Sequence, residues 1–212
     1  MRLRFVGDFE GLYRSEADPW GQSGADGPMA SYYKASREGL CTALTPYLKH
    51  EPRGLEVGCG KGWSLQMLRT WFGGRWDGMD ISPTAAKAAR ANNSGSFVFV
   101  SDIASECAVP PNALARYDVV ILSQMLWYVL TKIDDAMANV VRLTRVGGFV
   151  VVQQAFLREQ LYGARIADGW RGALALFIQR YPALELIEAR YDDSLKHACH
   201  DGLMIFRKIA NE

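Results

Sequence analysis

The sequence has little of anything that would mark an electrostatic, metallic or membrane-bound role. Its 24 basic and 23 acidic side chains nearly cancel, to a formal charge of +1, and neither sign forms a long run. A phosphate backbone is held by a concentrated basic surface, so nucleic acid is not expected as partner or substrate. Three histidines are present, and the one cluster they join, His197-Ala198-Cys199-His200-Asp201, has no matching ligand pair elsewhere in the chain. Zinc needs about four nitrogen or sulfur ligands, so no metal is expected. The four cysteines, Cys41, Cys59, Cys107 and Cys199, are scattered without CxxC spacing, as in a reduced cytoplasmic protein. The longest apolar run, Val119 to Leu130, is broken by Ser123 and Gln124 and falls short of the ~20 residues of a membrane helix. The opening MRLRFVGDFEGLY is too short and too acidic for a secretory signal.

What is present is a rhythm of short apolar runs and helical stretches. At 212 residues the chain fits one domain, with no internal repeat. The segment up to about residue 30 reads as irregular, because Asp18-Pro19-Trp20-Gly21 and Gly24-Ala25-Asp26-Gly27-Pro28 are turn chemistry. Residues 31–48 turn helical. Strands are expected over 55–57, 75–80, 97–100, 117–122 and 148–153, and helices over 63–72, 83–92 and 133–144, with Ser82 as an N-cap. Strand–helix alternation of this kind predicts a Rossmann-like, doubly wound α/β fold in three α/β/α layers. The tail differs: runs over 184–191 and 203–207 leave no room for a crossover helix, so they should pair antiparallel at the sheet edge.

The chemistry gathers at Leu55-Glu56-Val57-Gly58-Cys59-Gly60-Lys61-Gly62, where the first strand gives way to a helix. Glycines there let the backbone turn sharply and approach a ligand at the carboxyl edge of the sheet. The third glycine follows the second by two positions, whereas a dinucleotide loop places it three on. The acidic Glu56 also suits a cationic ligand better than a pyrophosphate. Asp80, ending the second strand, can accept both hydroxyls of a ribose. Asp102, just past the third strand, can meet the exocyclic amine of an adenine, with Ile81 and Ile103 as apolar contacts.

EVGCGKG, MDIS, SDIA, YDVVILSQMLWYV and VGGFVVV, in that order from Gly54 to Gln153, resemble the motif series of class I S-adenosylmethionine (SAM)-dependent methyltransferases. The resemblance implies a seven-stranded sheet with an antiparallel last strand and SAM as cofactor. It implies that Glu56, Gly58, Cys59, Gly60 and Gly62 hold the methionine moiety and Asp80 the ribose. Asp102 and Ile103 would meet the adenine, and Ser123 and Gln124 would lie beneath the sulfonium. A second likeness concerns the N-terminus. Phe9-Glu10-Gly11-Leu12-Tyr13, Asp18-Pro19-Trp20, and Ser31-Tyr32-Tyr33 with Arg37 are similar to the start of the nodulation protein S type of N-methyltransferase, which acts on an amino sugar. Lys34 and Arg37 stand where that pattern has glutamate and lysine.

On this reading residues 1–30 form a lid-like segment and 154–181 a substrate-facing insert, and the segment Gln153 to Gly163 that follows the fifth strand reads as helix. Aromatic side chains beside a sulfonium attract it and exclude water; Trp20, Tyr13, Tyr33 and Trp127 are the candidates, Trp20 being assigned to the cofactor. A nitrogen or oxygen nucleophile of a small molecule is expected to take the methyl group. Because the leaving thioether needs no proton, alignment is the main requirement. The catalytic group is left open, with Tyr13, Tyr33 and His200 as candidates, and the residues do not choose the accepting atom. Two rival readings keep the same fold. One runs other chemistry on a SAM derivative, a carboxymethyl transfer or a lyase step, with Lys34, Arg37 or Lys61 facing the added carboxylate. The other is a non-catalytic partner subunit.

Overall fold

Residues alternating between two faces of each strand build one sheet with a core on both sides. The computed structural model of the chain describes residues 7–23, 29–49, 51–106, 108, 113–157, 160, 162–192 and 199–210. Its elements are α1 (Phe9–Ser15), α2 (Ala30–Leu44), β1 (Arg53–Val57), α3 (Trp63–Phe72), β2 (Arg75–Asp80), α4 (Pro83–Asn92), β3 (Val98–Val100), β4 (Tyr117–Ser123), α5 (Leu126–Val129), α6 (Ile133–Leu143), β5 (Thr144–Leu157), α7 (Gly169–Arg180), β6 (Leu184–Asp192) and β7 (Cys199–Lys208). The strands lie in the order β3-β2-β1-β4-β5-β7-β6. The first five in that order are parallel neighbours, and β7 is antiparallel to both β5 and β6. The seven-stranded, doubly wound sheet with an antiparallel last strand is thus the one the sequence predicts. Its order reverses between β1 and β4, so the crevice where open α/β sheets bind ligands lies at the carboxyl ends of those strands.

Period-two alternation assigns the faces. Val119 and Ile121 of β4, Phe149 and Val151 of β5, and Leu203 and Ile205 of β7 pack under α2, α3 and α4. Val120 and Leu122, Val150 and Val152, and Met204 and Phe206 pack under α6 and α7. Helix ends follow local chemistry. Ser82 caps α4 by accepting the N–H of Ala85, and Pro83 follows at the first helical position. The buried Lys208 ammonium donates to the carbonyls of Val141 and Thr144, satisfying groups that the end of α6 leaves without partners.

Three local readings change. The N-terminal segment is not wholly irregular, because Asp8 accepts the Gly11 N–H and starts the short helix α1. Helix α2 stops at Leu44 rather than running to 48, because Pro46 has no N–H to continue the ladder. The stretch after residue 153 continues as strand to Leu157, where a helix was expected. The reason is pairing: β7 keeps register with β5 out to Leu157 opposite Cys199, and Phe156 alternates into the core. Among the described residues no helix is long and apolar enough to cross a membrane, and no cluster of three or more His, Cys, Asp or Glu could hold a metal.

The amino ends of the strands are locked around one buried charge. Asp77, with no exposed surface, takes Arg75 Nε at 2.9 Å, the Phe97 N–H at 3.0 Å and the Tyr117 hydroxyl at 3.1 Å, with Arg53 at 3.6 Å. Removing one partner of such a cluster strands the others. Asp77→Ala should therefore lower the unfolding free energy by about 3–5 kcal/mol in urea titrations. A loss below about 1 kcal/mol would mean that the cluster is dispensable.

Candidate functional site

The glycine loop is shaped by the end of β2. The N–H groups of Gly58 and Cys59 both donate to the Met79 carbonyl, at 2.8 and 3.0 Å, and the Gly62 N–H closes the loop onto the Cys59 carbonyl at 2.9 Å. Gly58 (φ 70°) and Gly60 (φ 52°) take left-handed conformations that side chains disfavour. Space is short as well: a methyl group on Gly58 would stand 3.4 Å from Met125 Cβ, and one on Gly60 would stand 2.8 Å from the Tyr13 hydroxyl. Asp80, at the tip of β2, accepts the Gly60 N–H through Oδ2 at 2.8 Å and the Ser82 N–H through Oδ1 at 2.9 Å. Burial pushes its carboxyl up, against those backbone bonds.

Beneath the loop lies Glu56, 3% exposed, with Oε2 buried and without a partner. Burial pushes its carboxyl up to about 8, opposed by a hydrogen bond with Ser64 and the charge of Arg37. Arg37 reaches this floor from α2. Its guanidinium donates to the carbonyls of Gln22 at 2.7 Å and Tyr33 at 3.1 Å. Burial holds it below the usual arginine range, and Glu56 opposes that shift. Cys59 is buried in the loop, and its thiol is pushed well up by burial.

The N-terminal segment closes over the loop. Tyr13 is buried above Gly60, and Trp20 Nε1 donates to its hydroxyl at 3.2 Å. Lys61 donates to the carbonyls of Glu16 and Ala17 and lies over the Tyr13 ring. Glu10 accepts from the hydroxyls of Ser82 at 2.6 Å and Thr84 at 2.7 Å, and from the Thr84 N–H at 3.1 Å. These bonds, Ser82 first, hold the Glu10 carboxyl down at about 2. They tie α1 to the start of α4, two residues past Asp80.

The remaining expected residues divide. Ile81 is exposed beside Asp80. Asp102 is half-buried and accepts the Ala104 N–H at 3.0 Å. The Ile103 side chain sits in the core, and its carbonyl takes Asn139 Nδ2 at 2.8 Å. Ser123 donates to Gln153 Oε1 at 3.2 Å, and Gln124 reaches Tyr32 Oη at 3.2 Å. Tyr33 packs edge-on against Tyr32, 5.2 Å between centroids. The side chain of His200 lies outside the described residues. Trp127 anchors its indole N–H on the Ala155 carbonyl at 3.0 Å and packs on Phe156. Gln154, read as facing an acceptor, is buried, and its Oε1 takes the Leu126 N–H at 2.9 Å. Glu10, Tyr32 and Asp201 carry bonds at this edge that sequence reasoning did not assign; the capping pattern of Asp8 before α1 was the available signal for Glu10.

Residues 55–152 match a family model described as a methyltransferase domain. No curated protein sequence matches the chain. Among solved structures the chain is similar to the N-methyltransferase NodS from Bradyrhizobium japonicum WM9 in complex with S-adenosyl-L-homocysteine (TM-score 0.70, 21% identity, 94% of this chain and 97% of that one). It is also similar to a chain of the complex between the Haloferax volcanii Trm112 methyltransferase activator and a methyltransferase (0.69, 17%, 92% and 98%). A third likeness is to the [4+2]-cyclase SpnF (0.65, 17%, 88% and 86%).

Glu56 makes a testable electrostatic claim. Its carboxyl titrates at about 8 in the fold against 4.5 in an ordinary setting, so the fold favours the protonated form. The stability this gives is complete below the ordinary value and is lost as pH rises through about 8. Unfolding midpoints of the free protein, read against those of Glu56→Gln from about pH 5 to pH 9, should fall further behind as pH rises. A constant gap would mean that Glu56 is ionised throughout.

Proposed function

We propose, for a chain whose residues 55–152 match a methyltransferase domain, that it transfers the methyl group of SAM to a nitrogen or oxygen of a small molecule. The observation that carries this reading is the clasp of Asp80 on the glycine loop above an unpaired Glu56. Each Asp80 oxygen spends one lone pair on a backbone N–H and keeps another, which suits the two hydroxyls of a ribose. Glu56 Oε2, buried without a partner, suits the ammonium of an amino-acid moiety, and Arg37 beside it suits the carboxylate. Side chains at Gly58 or Gly60 would run into Met125 or the Tyr13 hydroxyl, so the backbone between them stays bare. Ile81 is placed to cover an adenine, and Asp102 to meet its amine.

When bound, SAM supplies an activated methyl group. The chain's own task is to hold that group and the acceptor in line and to keep water out, because alignment is the larger part of such a barrier. Residues 1–30 are assigned as the lid, since Tyr13 and Trp20 already lie over the loop and Glu10 latches the helix to α4. Of residues 154–181, those between β5 and α7 are assigned to the acceptor side, because α7 itself packs in the core. The N-methyltransferase likeness favours a nitrogen acceptor. The likeness to a [4+2]-cyclase supports a second reading, in which the same fold runs another reaction. Release of S-adenosyl-L-homocysteine separates the two, because methyl transfer forms it and a cyclisation does not.

Two measurements test the proposal. Asp80→Asn should weaken SAM binding at least tenfold by calorimetry, since a hydrogen bond to a charged group is worth about 1.5–3 kcal/mol. Unchanged affinity would place the ribose elsewhere. Deleting residues 1–30 should leave a folded domain that binds SAM and has lost most of its turnover. A truncated chain that fails to fold would make the segment part of the core.

A further inference from the structure

The outer end of the cleft holds a carboxylate that the cofactor reading does not use. Gln124 follows β4 in a left-handed conformation, φ 57°, which few non-glycine residues adopt. Two bonds keep it there: its N–H donates to the Gln153 carbonyl at 2.7 Å, and its Oε1 accepts the Ala155 N–H at 2.8 Å. Its amide nitrogen is thereby aimed at Tyr32 Oη at 3.2 Å, Ser36 Oγ at 3.4 Å and Asp201 Oδ1 at 3.5 Å. Tyr32, 8% exposed, donates its own hydroxyl to the same Asp201 oxygen at 2.5 Å.

The position of Asp201 follows from register. It lies opposite Ala155 of β5, two residues beyond the Ser123–Gln153 pair that ends β4. That is the ligand edge of the sheet. Met125, the neighbour of Gln124, abuts Gly58 of the glycine loop, so this constellation lies one residue's contact from the cofactor cradle. Both bonds that it takes from described side chains fall on Oδ1, and Asp201 is half-buried rather than sealed. No Lys or Arg pairs with it among the described residues. A carboxylate oriented through one oxygen, with a tyrosine and a strained glutamine fixing its angle, is built to present the other.

We infer that Oδ2 of Asp201 takes the proton of the methyl acceptor, with Tyr32 and Gln124 as positioning residues, and that the acceptor reacts through an N–H or O–H group. The inference rests on the methyl-transfer reading above. In the step, a lone pair of the neutral acceptor X–H forms the X–CH3 bond. The C–S bond breaks with its electron pair going to sulfur, leaving the neutral thioether S-adenosyl-L-homocysteine. The proton of X passes to the Asp201 carboxylate, so the charges of sulfonium and carboxylate cancel. A thiol, more acidic than an amine or alcohol and intrinsically very nucleophilic, has less need of this group.

The experiment measures S-adenosyl-L-homocysteine release from SAM with sets of small primary and secondary amines, alcohols and phenols, and alkyl thiols, beside calorimetric SAM affinity. The wild type should turn over N–H or O–H acceptors. Asp201→Asn, which keeps the shape and the Tyr32 bond, should lower kcat about 100-fold, the usual scale of general-base loss. SAM affinity and acceptor KM should stay within about twofold. Formate should restore part of the turnover of Asp201→Ala without speeding the wild type, a rescue that a structural role would not show. Tyr32→Phe should lower kcat about tenfold and leave SAM affinity alone, the smaller loss expected of a positioning group. Asp201→Asn turning over such an acceptor within about twofold of wild type, or wild-type release confined to thiols, would overturn the inference alone. A wild type that fails to bind SAM, or releases no product with any acceptor class, would overturn the methyl-transfer reading and this inference together.

Discussion

The end of β2 is the constraint on which the site depends. Met79 and Asp80 together receive three backbone N–H groups from the glycine loop: those of Gly58 and Cys59 on the Met79 carbonyl, and that of Gly60 on the Asp80 carboxylate. A loop with left-handed residues at Gly58 and Gly60 has few conformations that satisfy all three. The bonds therefore fix the floor of the cleft before any ligand arrives, and preorganisation of this kind reduces what binding must spend on ordering. Asp80 also receives the Ser82 N–H, so the same carboxylate aligns the start of α4, where Ser82 caps the helix.

From that point the rest of the edge is coupled. Glu10 accepts the capping hydroxyl of Ser82 and the hydroxyl of Thr84, so the N-terminal helix is docked through the element that Asp80 aligns. Tyr13, above Gly60, is in turn the acceptor for Trp20. On the far side, Met125 against Gly58 links the loop to Gln124 and its network with Tyr32, Ser36 and Asp201. The proposed cofactor cradle, the proposed cover and the proposed acceptor end are thus three neighbouring sets of bonds, each sharing a residue or a contact with the glycine loop.

Local signals were the legible ones. Helices α3 and α4 and strand β2 have the expected bounds, 63–72, 83–92 and 75–80, and Ser82 caps α4 as expected. The buried strand β4 announced itself by a nearly all-apolar run. What escaped were features set by distant partners. The extension of β5 to Leu157 depends on pairing with β7, some forty residues later. Tyr32 and Asp201 are separated by 169 positions, and no pattern in either neighbourhood points to the other. Arg37 was read as a partner for an added carboxylate, yet its charge faces Glu56, because the α2 face it occupies is set by burial of Leu40, Cys41 and Leu44. His197-Ala198-Cys199-His200-Asp201 drew attention for its histidines, and the residue with the described contacts is its aspartate.

The central claim is that Asp80, Glu56 and the loop between them form one cradle for an adenosyl amino acid. A crystal structure of the chain with S-adenosyl-L-homocysteine tests it most directly. The account predicts ribose hydroxyls on the Asp80 carboxylate, an amino-acid end running past Gly58 and Gly60 toward Glu56 and Arg37, and an adenine against Ile81. A ligand bound elsewhere, or one whose ribose leaves Asp80 bonded only to Gly60 and Ser82, would contradict it.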